Sequence, residues 1–147
     1  VFLILTNSRR DAVLLMVASA SGALVSHSLK EIYARDRPDL VAHMTEVITL
    51  SFPSGHSMLS ATVFLTLGTL VAQGQPRRRG RTFVVSTAVL LTLMVGFSRV
   101  YLGVHWPSDV LAGWAAGSAW AMIWWLVAAY YKRRSETTQP PSSDARA

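Results

Sequence analysis

The chain has 147 residues, 51% hydrophobic and only 15% charged, with a net charge of +6 and no cysteine. A soluble domain carries roughly 25% charged residues, so the composition argues for one membrane-embedded domain rather than a water-soluble globule. Without thiols neither a disulfide framework nor a thiolate metal site can form. The basic residues cluster at the ends of apolar runs, a membrane-orientation pattern, which argues against a nucleic-acid-binding face.

Residues 1–5 are apolar but too few to span a bilayer, and read as the end of a helix that starts earlier. The charged, apolar, cleavable order of a signal peptide is not seen in them. Residues 12–29 carry no formal charge and fall within the ~17–25 residues a spanning helix needs. This run is rich in small residues (Ala18, Ser19, Ala20, Ser21, Gly22, Ala23), which suit close helix packing; His27 near its end reads as a satisfied or interfacial histidine rather than a ligand. A long connection, residues 30–56, follows. Its first part is dense in charge, and Pro38 biases Arg37 out of the helix. Its second part mixes apolar residues with His43 and Glu46, and reads as an interfacial amphipathic segment or a packed loop.

Three more spans are expected, at about 57–73, 82–97 and 110–131. Residues 74–81 read as a tight turn carrying Arg77, Arg78, Arg79 and Arg81, on which the short third span must draw to cross. Trp124, Trp125, Tyr130 and Tyr131 form an aromatic belt near the end of the last span, and Gly113 and Gly117 permit close helix approach. Residues 135–147 are polar and contain proline, so a disordered cytoplasmic tail is expected. The fold class is therefore an all-α integral membrane bundle, with residues 1–134 as its single domain.

Orientation follows from charge. Arg9 and Arg10, the four arginines of 77–81, and Lys132, Arg133 and Arg134 lie on one side, against Lys30, Arg35, Arg37 and Arg99 on the other. Excess Lys and Arg marks the cytoplasmic face. The 30–56 and 98–109 loops, which hold the unusual polar residues, thus share the non-cytoplasmic face.

The 98–109 stretch places a cation, an imidazole and a carboxylate between two apolar runs. If a helix begins at Trp106, His105 and Asp109 are one turn apart and can touch. A carboxylate on one imidazole nitrogen fixes the tautomer and leaves the other nitrogen free to attack or accept a proton. Arg99 offers a planar fork suited to phosphate oxygens.

Three stretches share this face: Lys30 with Arg37-Pro38 after six intervening residues, Pro53-Ser54-Gly55-His56, and Ser98-Arg99 with His105 and Asp109. Lys-x6-Arg-Pro, Pro-Ser-Gly-His and Ser-Arg-x5-His-x3-Asp, in that order and at these spacings, resemble the tripartite signature of the type 2 phosphatidic acid phosphatase superfamily. The resemblance covers residues 12 to about 131. It implies the last four helices of a six-helix core, with the N-terminal part of that core outside this sequence.

The resemblance also implies roles. His105 is the nucleophile that forms a phosphohistidine, and Asp109 orients it. His56 protonates the leaving alkoxide and then activates water. Lys30, Arg37, Ser54, Gly55 and Arg99 bind phosphate. Chemistry agrees: cleaving a phosphate ester needs charge stabilisation on the oxygens, an in-line nucleophile and a proton for the leaving group. The three cations suffice to surround a phosphoryl group, and a helix start at Ser54-Gly55 offers backbone N–H groups to an anion. No metal and no cofactor is implied. Arg35 and Asp36 read as solvated or locally paired charges, and Tyr101, Trp106 and His43 as interfacial or packing residues.

The expected activity is hydrolysis of a lipid phosphate or diphosphate at the headgroup level of the cell membrane. Candidates within the resemblance are phosphatidic acid, phosphatidylglycerol phosphate, diacylglycerol diphosphate and undecaprenyl diphosphate. A phosphotransferase using the same intermediate, and a non-enzymatic membrane protein or transporter fragment, are the alternatives. The sequence sets no oligomeric state.

Overall fold

The computed structural model describes residues 9–37 and 50–137. Four helices lie among them: α1, Arg9–Tyr33; α2, Gly55–Gln73; α3, Arg78–Tyr101; and α4, Pro107–Thr137. Each is long and apolar enough to cross a bilayer, so the expected all-α membrane bundle is what the chain forms. Residues 1–5, Pro38, the greater part of the amphipathic segment with His43 and Glu46, and residues 138–147 of the tail lie outside the described residues.

The helices run past the apolar runs that announce them. α1 starts at Arg9 and keeps Lys30 in its last turn, where a cation favours the negative end of the helix dipole. The expected tight turn over 74–81 is shorter: α2 ends at Gly74 and α3 begins at Arg78, so Arg78, Arg79 and Arg81 are helical. Arginine is a good helix former and lays its stem along apolar surface while its head reaches water. Charge therefore marks the membrane boundary without ending the helix. α4 likewise continues through Thr137, past the Ser135 at which the polar tail was placed.

α2 is the central element. Of its spanning window 44% is buried, against 17%, 17% and 22% for α1, α3 and α4. Apart from Met58, its buried positions are small or hydroxylic, including Ser57, Ser60, Ala61, Thr62, Thr66 and Gly68, as suits helices that associate by close contact rather than by excluding water. α1 offers a matching stripe of Ala18, Gly22 and Ser26, one turn apart. α4 approaches closest of all: a Cβ on Gly113 would stand 2.7 Å from the Ser54 carbonyl oxygen, and one on Gly117 would stand 2.3 Å from that of Met58. The two glycines singled out in the sequence are therefore required by backbone-to-helix contact. Two indoles complete the bundle. Trp114 Nε1 donates to Thr92 O of α3 at 3.1 Å, and Trp120 Nε1 to Ser21 Oγ of α1 at 3.1 Å.

This packing sets the N-termini of α2 and α4 side by side, with the C-termini of α1 and α3 at the same end. The Ser54 N–H donates to the Asp109 carbonyl at 3.0 Å and pins the two starts together.

Candidate active site

The site is assembled from helix ends. α1 stops at Tyr33, and Ala34 follows with φ 43°, its N–H returning to Lys30 O at 2.9 Å. A side-chain-bearing residue in this left-handed region costs roughly 1–2 kcal/mol. It turns the chain sharply into an extended segment in which Arg35 and Arg37, two apart, reach the same neighbour. Arg35 touches Ser108 and Asp109, and Arg37 touches Val104 and His105. Residues 50–51 run beside this segment: Ser51 N–H donates to Arg35 O at 2.8 Å, and Lys30 Nζ donates to Leu50 O at 2.5 Å. Phe52 meets Tyr33 edge-on, with ring centroids 4.8 Å apart.

α3 ends at Tyr101 with Leu102 as C-cap, and Gly103 follows at φ 69°. Glycine takes that conformation without strain. The chain thereby turns back at once, and Val104 N–H bonds Arg99 O at 3.3 Å. α4 then opens with Pro107 at its first position, where the missing N–H is not needed. Asp109, two residues on, reaches back to accept from the Trp106 N–H at 3.0 Å, half of a capping box.

Asp109 is fully buried and His105 is 4% exposed. Their closest approach, Nδ1 to Oδ2, is 3.6 Å; the two meet, although α4 begins at Pro107 and His105 precedes it. The carboxylate is otherwise well satisfied. Arg35 Nη1 donates to Oδ1 at 2.9 Å, and the Ser51 hydroxyl and Trp106 N–H donate to Oδ2. On the far edge of the ring, Arg37 Nη1 stands 3.3 Å from His105 Nε2 while also donating to Val104 O at 2.6 Å. A guanidinium can only donate, so Nε2 is the unprotonated nitrogen and Nδ1 carries the hydrogen. Burial, then the charges of Arg37 and Lys30, push the His105 pKa down to about 4, and Asp109 only partly offsets them. The imidazole is neutral at physiological pH.

The other expected site residues lie at the same end of the bundle. Ser54 is the N-cap of α2; its oxygen accepts from the Ser57 N–H at 3.4 Å and the Ser57 hydroxyl at 3.0 Å. Gly55 is the first residue of α2, where backbone N–H groups have no intrahelical partner. His56 is exposed and within electrostatic range of Arg99, Lys30 and Arg37. Arg99, in the last turn of α3, bonds Ser98 Oγ through Nε at 3.2 Å. Thus His105 meets Asp109 and Arg37, Ser54 joins Asp109 through the backbone, Lys30 lies within electrostatic range of His105 and Asp109, and His56 within range of Lys30, Arg37 and Arg99. Among the described residues no three His, Asp or Glu side chains converge as a metal site would need.

Two participants escaped the sequence reading. Arg35, read as a solvated or locally paired charge, instead forms an ion pair with Asp109 across 74 positions of the chain and lies over the Trp106 ring, 5.5 Å from its centroid. Ser51, fully buried, contacts both Asp109 and His105. The signal for Arg35 was its offset of two from Arg37 in a segment that Pro38 makes extended. Ser51 carried none. Trp106 packs on Arg35, in keeping with the packing role assigned to it; Tyr101 is 85% exposed.

Comparison with known proteins gives the family and the fold. Residues 11–134 match the family model described as the PAP2 superfamily. Phosphatidylglycerophosphatase B of Bacillus subtilis is 36% identical over 108 residues, which are 73% of this chain and 53% of that protein. An undecaprenyl-diphosphatase of Sulfolobus acidocaldarius is 29% identical over 121 residues, 79% of this chain and 54% of that protein. The chain thus spans about half the length of the curated relatives it matches. Among solved structures, the transmembrane PAP2 type phosphatidylglycerolphosphate phosphatase of Bacillus subtilis superposes with a TM-score of 0.72 at 33% identity, covering 84% of this chain and 60% of that one. Aquifex aeolicus LpxE shares the fold, with a TM-score of 0.65 at 22% identity over 85% of this chain and 72% of its own.

Proposed function

This chain belongs to the PAP2 superfamily, and we propose that it is the catalytic part of an integral membrane phosphatase acting on a lipid phosphate or diphosphate through a phosphohistidine. The observation that carries the reading is His105: a buried, neutral imidazole with Nε2 unprotonated under a guanidinium fork and Nδ1 backed by a buried carboxylate. The relatives named for phosphatidylglycerophosphate and undecaprenyl diphosphate support the substrate class.

In the proposed reaction the phosphate dianion enters among Lys30, Arg37 and Arg99 and the N–H groups at the start of α2. Its oxygens take the Arg37 donors, which uncovers Nε2. Nε2 attacks the terminal phosphorus, a P–N bond forms, and the P–O bond to the leaving group breaks. His56 gives its proton to the departing oxygen, a lipid alkoxide from a monoester or the lipid phosphate from a diphosphate. Water then loses a proton to His56 and attacks phosphorus, the P–N bond breaks, and inorganic phosphate leaves. Asp109 stabilises the ring's positive charge while phosphate is attached. Charge on the equatorial oxygens is met by the cationic side chains, so the chemistry asks for no metal.

The site faces the non-cytoplasmic side in this reading. The arginines of 77–81 lie at the α2–α3 turn, the end of the bundle opposite His105, and excess basic residues mark the cytoplasm.

The test is phosphate release by the full-length protein in detergent, without added metal, from phosphatidic acid, phosphatidylglycerol phosphate, diacylglycerol diphosphate and undecaprenyl diphosphate. At least one should turn over, and His105→Ala should abolish turnover with normal expression. A labelled phosphoenzyme, acid-labile and base-stable, should be trapped when wild type turning over a labelled substrate is quenched in base, and be missing in His105→Ala. Near-normal activity in His105→Ala would refute the assignment of the nucleophile.

A further inference from the structure

Asp109 Oδ2 stands 3.6 Å from His105 Nδ1, a long contact for a carboxylate that orients an imidazole. The Ser51 hydroxyl stands beside both groups. Its oxygen is 3.4 Å from Nδ1 and 2.5 Å from Oδ2. An ionised carboxylate can only accept, so the serine hydrogen points to Asp109. That leaves a serine lone pair as the acceptor for the Nδ1 hydrogen, the one tautomer consistent with Arg37 on Nε2. Both edges of the ring therefore ask for the same protonation pattern.

We propose that Ser51 is a positioning residue of the site: its hydroxyl couples His105 Nδ1–H to Asp109 and so keeps Nε2 as the free, attacking nitrogen. The proposal rests on the reading of His105 as nucleophile. Ser51 is fully buried, so water does not compete for its hydroxyl. Its backbone is held by Arg35 O, and its neighbours by Lys30 on Leu50 O and Tyr33 on Phe52. Arg35 takes the other carboxylate oxygen, which leaves Oδ2 for Ser51 and the Trp106 N–H. The charged groups around the pair are thus Arg35 on Asp109, Arg37 against the ring, and Lys30 within range of both. Nδ1–H faces two acceptors, Ser51 Oγ at 3.4 Å and Asp109 Oδ2 at 3.6 Å, and the serine is the nearer.

The test compares wild type, Ser51→Ala and Ser51→Cys in the full-length protein in detergent micelles. Cysteine keeps the volume and loses most of the hydrogen bonding, which separates packing from coupling. With 15N-labelled histidine, and His105→Gln to assign the signals, the wild-type ring at pH 7 should show a protonated Nδ1 and a bare Nε2. Both variants should move toward a mixture of tautomers. kcat should fall about 10- to 100-fold, as when outer hydrogen-bond partners of a functional histidine are lost, with KM within about twofold because Ser51 does not touch substrate. A wild-type Nδ1 found bare at pH 7 would overturn the proposal without recourse to any variant. So would Ser51→Cys with wild-type nitrogen shifts and kcat. The nitrogen signals need no turnover: if wild type hydrolyses no lipid phosphate yet shows the stated tautomer, lost in both variants, the function reading fails and the coupling stands.

Discussion

Acidification of the unliganded protein probes the charge arrangement at His105 most directly. An ordinary imidazole titrates near 6.5, and the folded site lowers His105 to about 4. That gap of about 2.5 pH units corresponds to roughly 3 kcal/mol at 1.36 kcal/mol per unit. Because the folded value lies below the unfolded one, the unfolded chain binds the proton first. The contribution of His105 is intact above about pH 6.5, is down by about 2 kcal/mol at pH 5, and is lost by about pH 4. Other groups also titrate in that window, so the ring itself is the better reporter. Nitrogen shifts of labelled His105, followed from pH 8 to pH 3.5, should move only near the acid end. Arg37→Gln removes the second-largest cause of the shift and leaves the largest, burial, so its His105 should titrate between about 4 and 6.5. A wild-type His105 titrating at 6–7, or an Arg37→Gln value equal to or below wild type, would refute the reasoning.

Other perturbations test the surrounding framework. Arg35→Gln should destabilise the protein by about 1–2 kcal/mol in detergent denaturation, less than the 3–5 typical of a broken buried pair, because the Arg35 side chain is 42% exposed and Asp109 keeps two other donors; Arg35→Lys should recover part of the loss. Gly117→Ala should sharply reduce the folded fraction, measured by size-exclusion chromatography, since its Cβ would lie 2.3 Å from a backbone oxygen, whereas Gly74→Ala, with 3.6 Å to its nearest neighbour, should change stability by no more than ~0.5 kcal/mol. The chain has no cysteine, so a membrane-impermeant maleimide in intact cells should label Tyr101→Cys at the site end and spare Pro76→Cys at the arginine-rich turn; the reverse pattern would invert the proposed topology.

What the sequence disclosed and what it withheld differ for a physical reason. Spans, helix ends near polar clusters, and the pair Gly113 and Gly117 all follow from local composition and period, and these are the parts of the fold that were legible. The His105–Asp109 contact was legible too: His105 itself precedes α4, but Asp109 in the first turn reaches back over the Trp106 N–H, so a spacing of four still brings carboxylate and imidazole together. Arg35 and Ser51 were not. Their partners are 74 and 58 positions away, and a serine before Phe52-Pro53 looks like any loop serine. Only the closure of the 35–37 and 50–54 segments onto the start of α4 gives it a role. The third span misled for the opposite reason: counting apolar residues to the first arginine measures hydrocarbon thickness, whereas the helix persists through Arg78, Arg79 and Arg81.

The same charges account for two demands that conflict at first sight. A nucleophilic imidazole must be neutral before attack, yet it carries positive charge once phosphate is attached. Asp109 alone would serve only the second demand: a carboxylate beside an imidazole raises its pKa and favours the protonated, non-nucleophilic ring. Burial and the charges of Arg37 and Lys30 reverse that preference in the empty site. When a phosphate dianion enters, its charge offsets those same cations, and the bias against a positive ring weakens as the P–N bond forms. In the proposed reaction Arg37 and Lys30 therefore do more than bind substrate. They hold His105 neutral until there is an anion to attack, and leave Asp109 to stabilise the charge that follows.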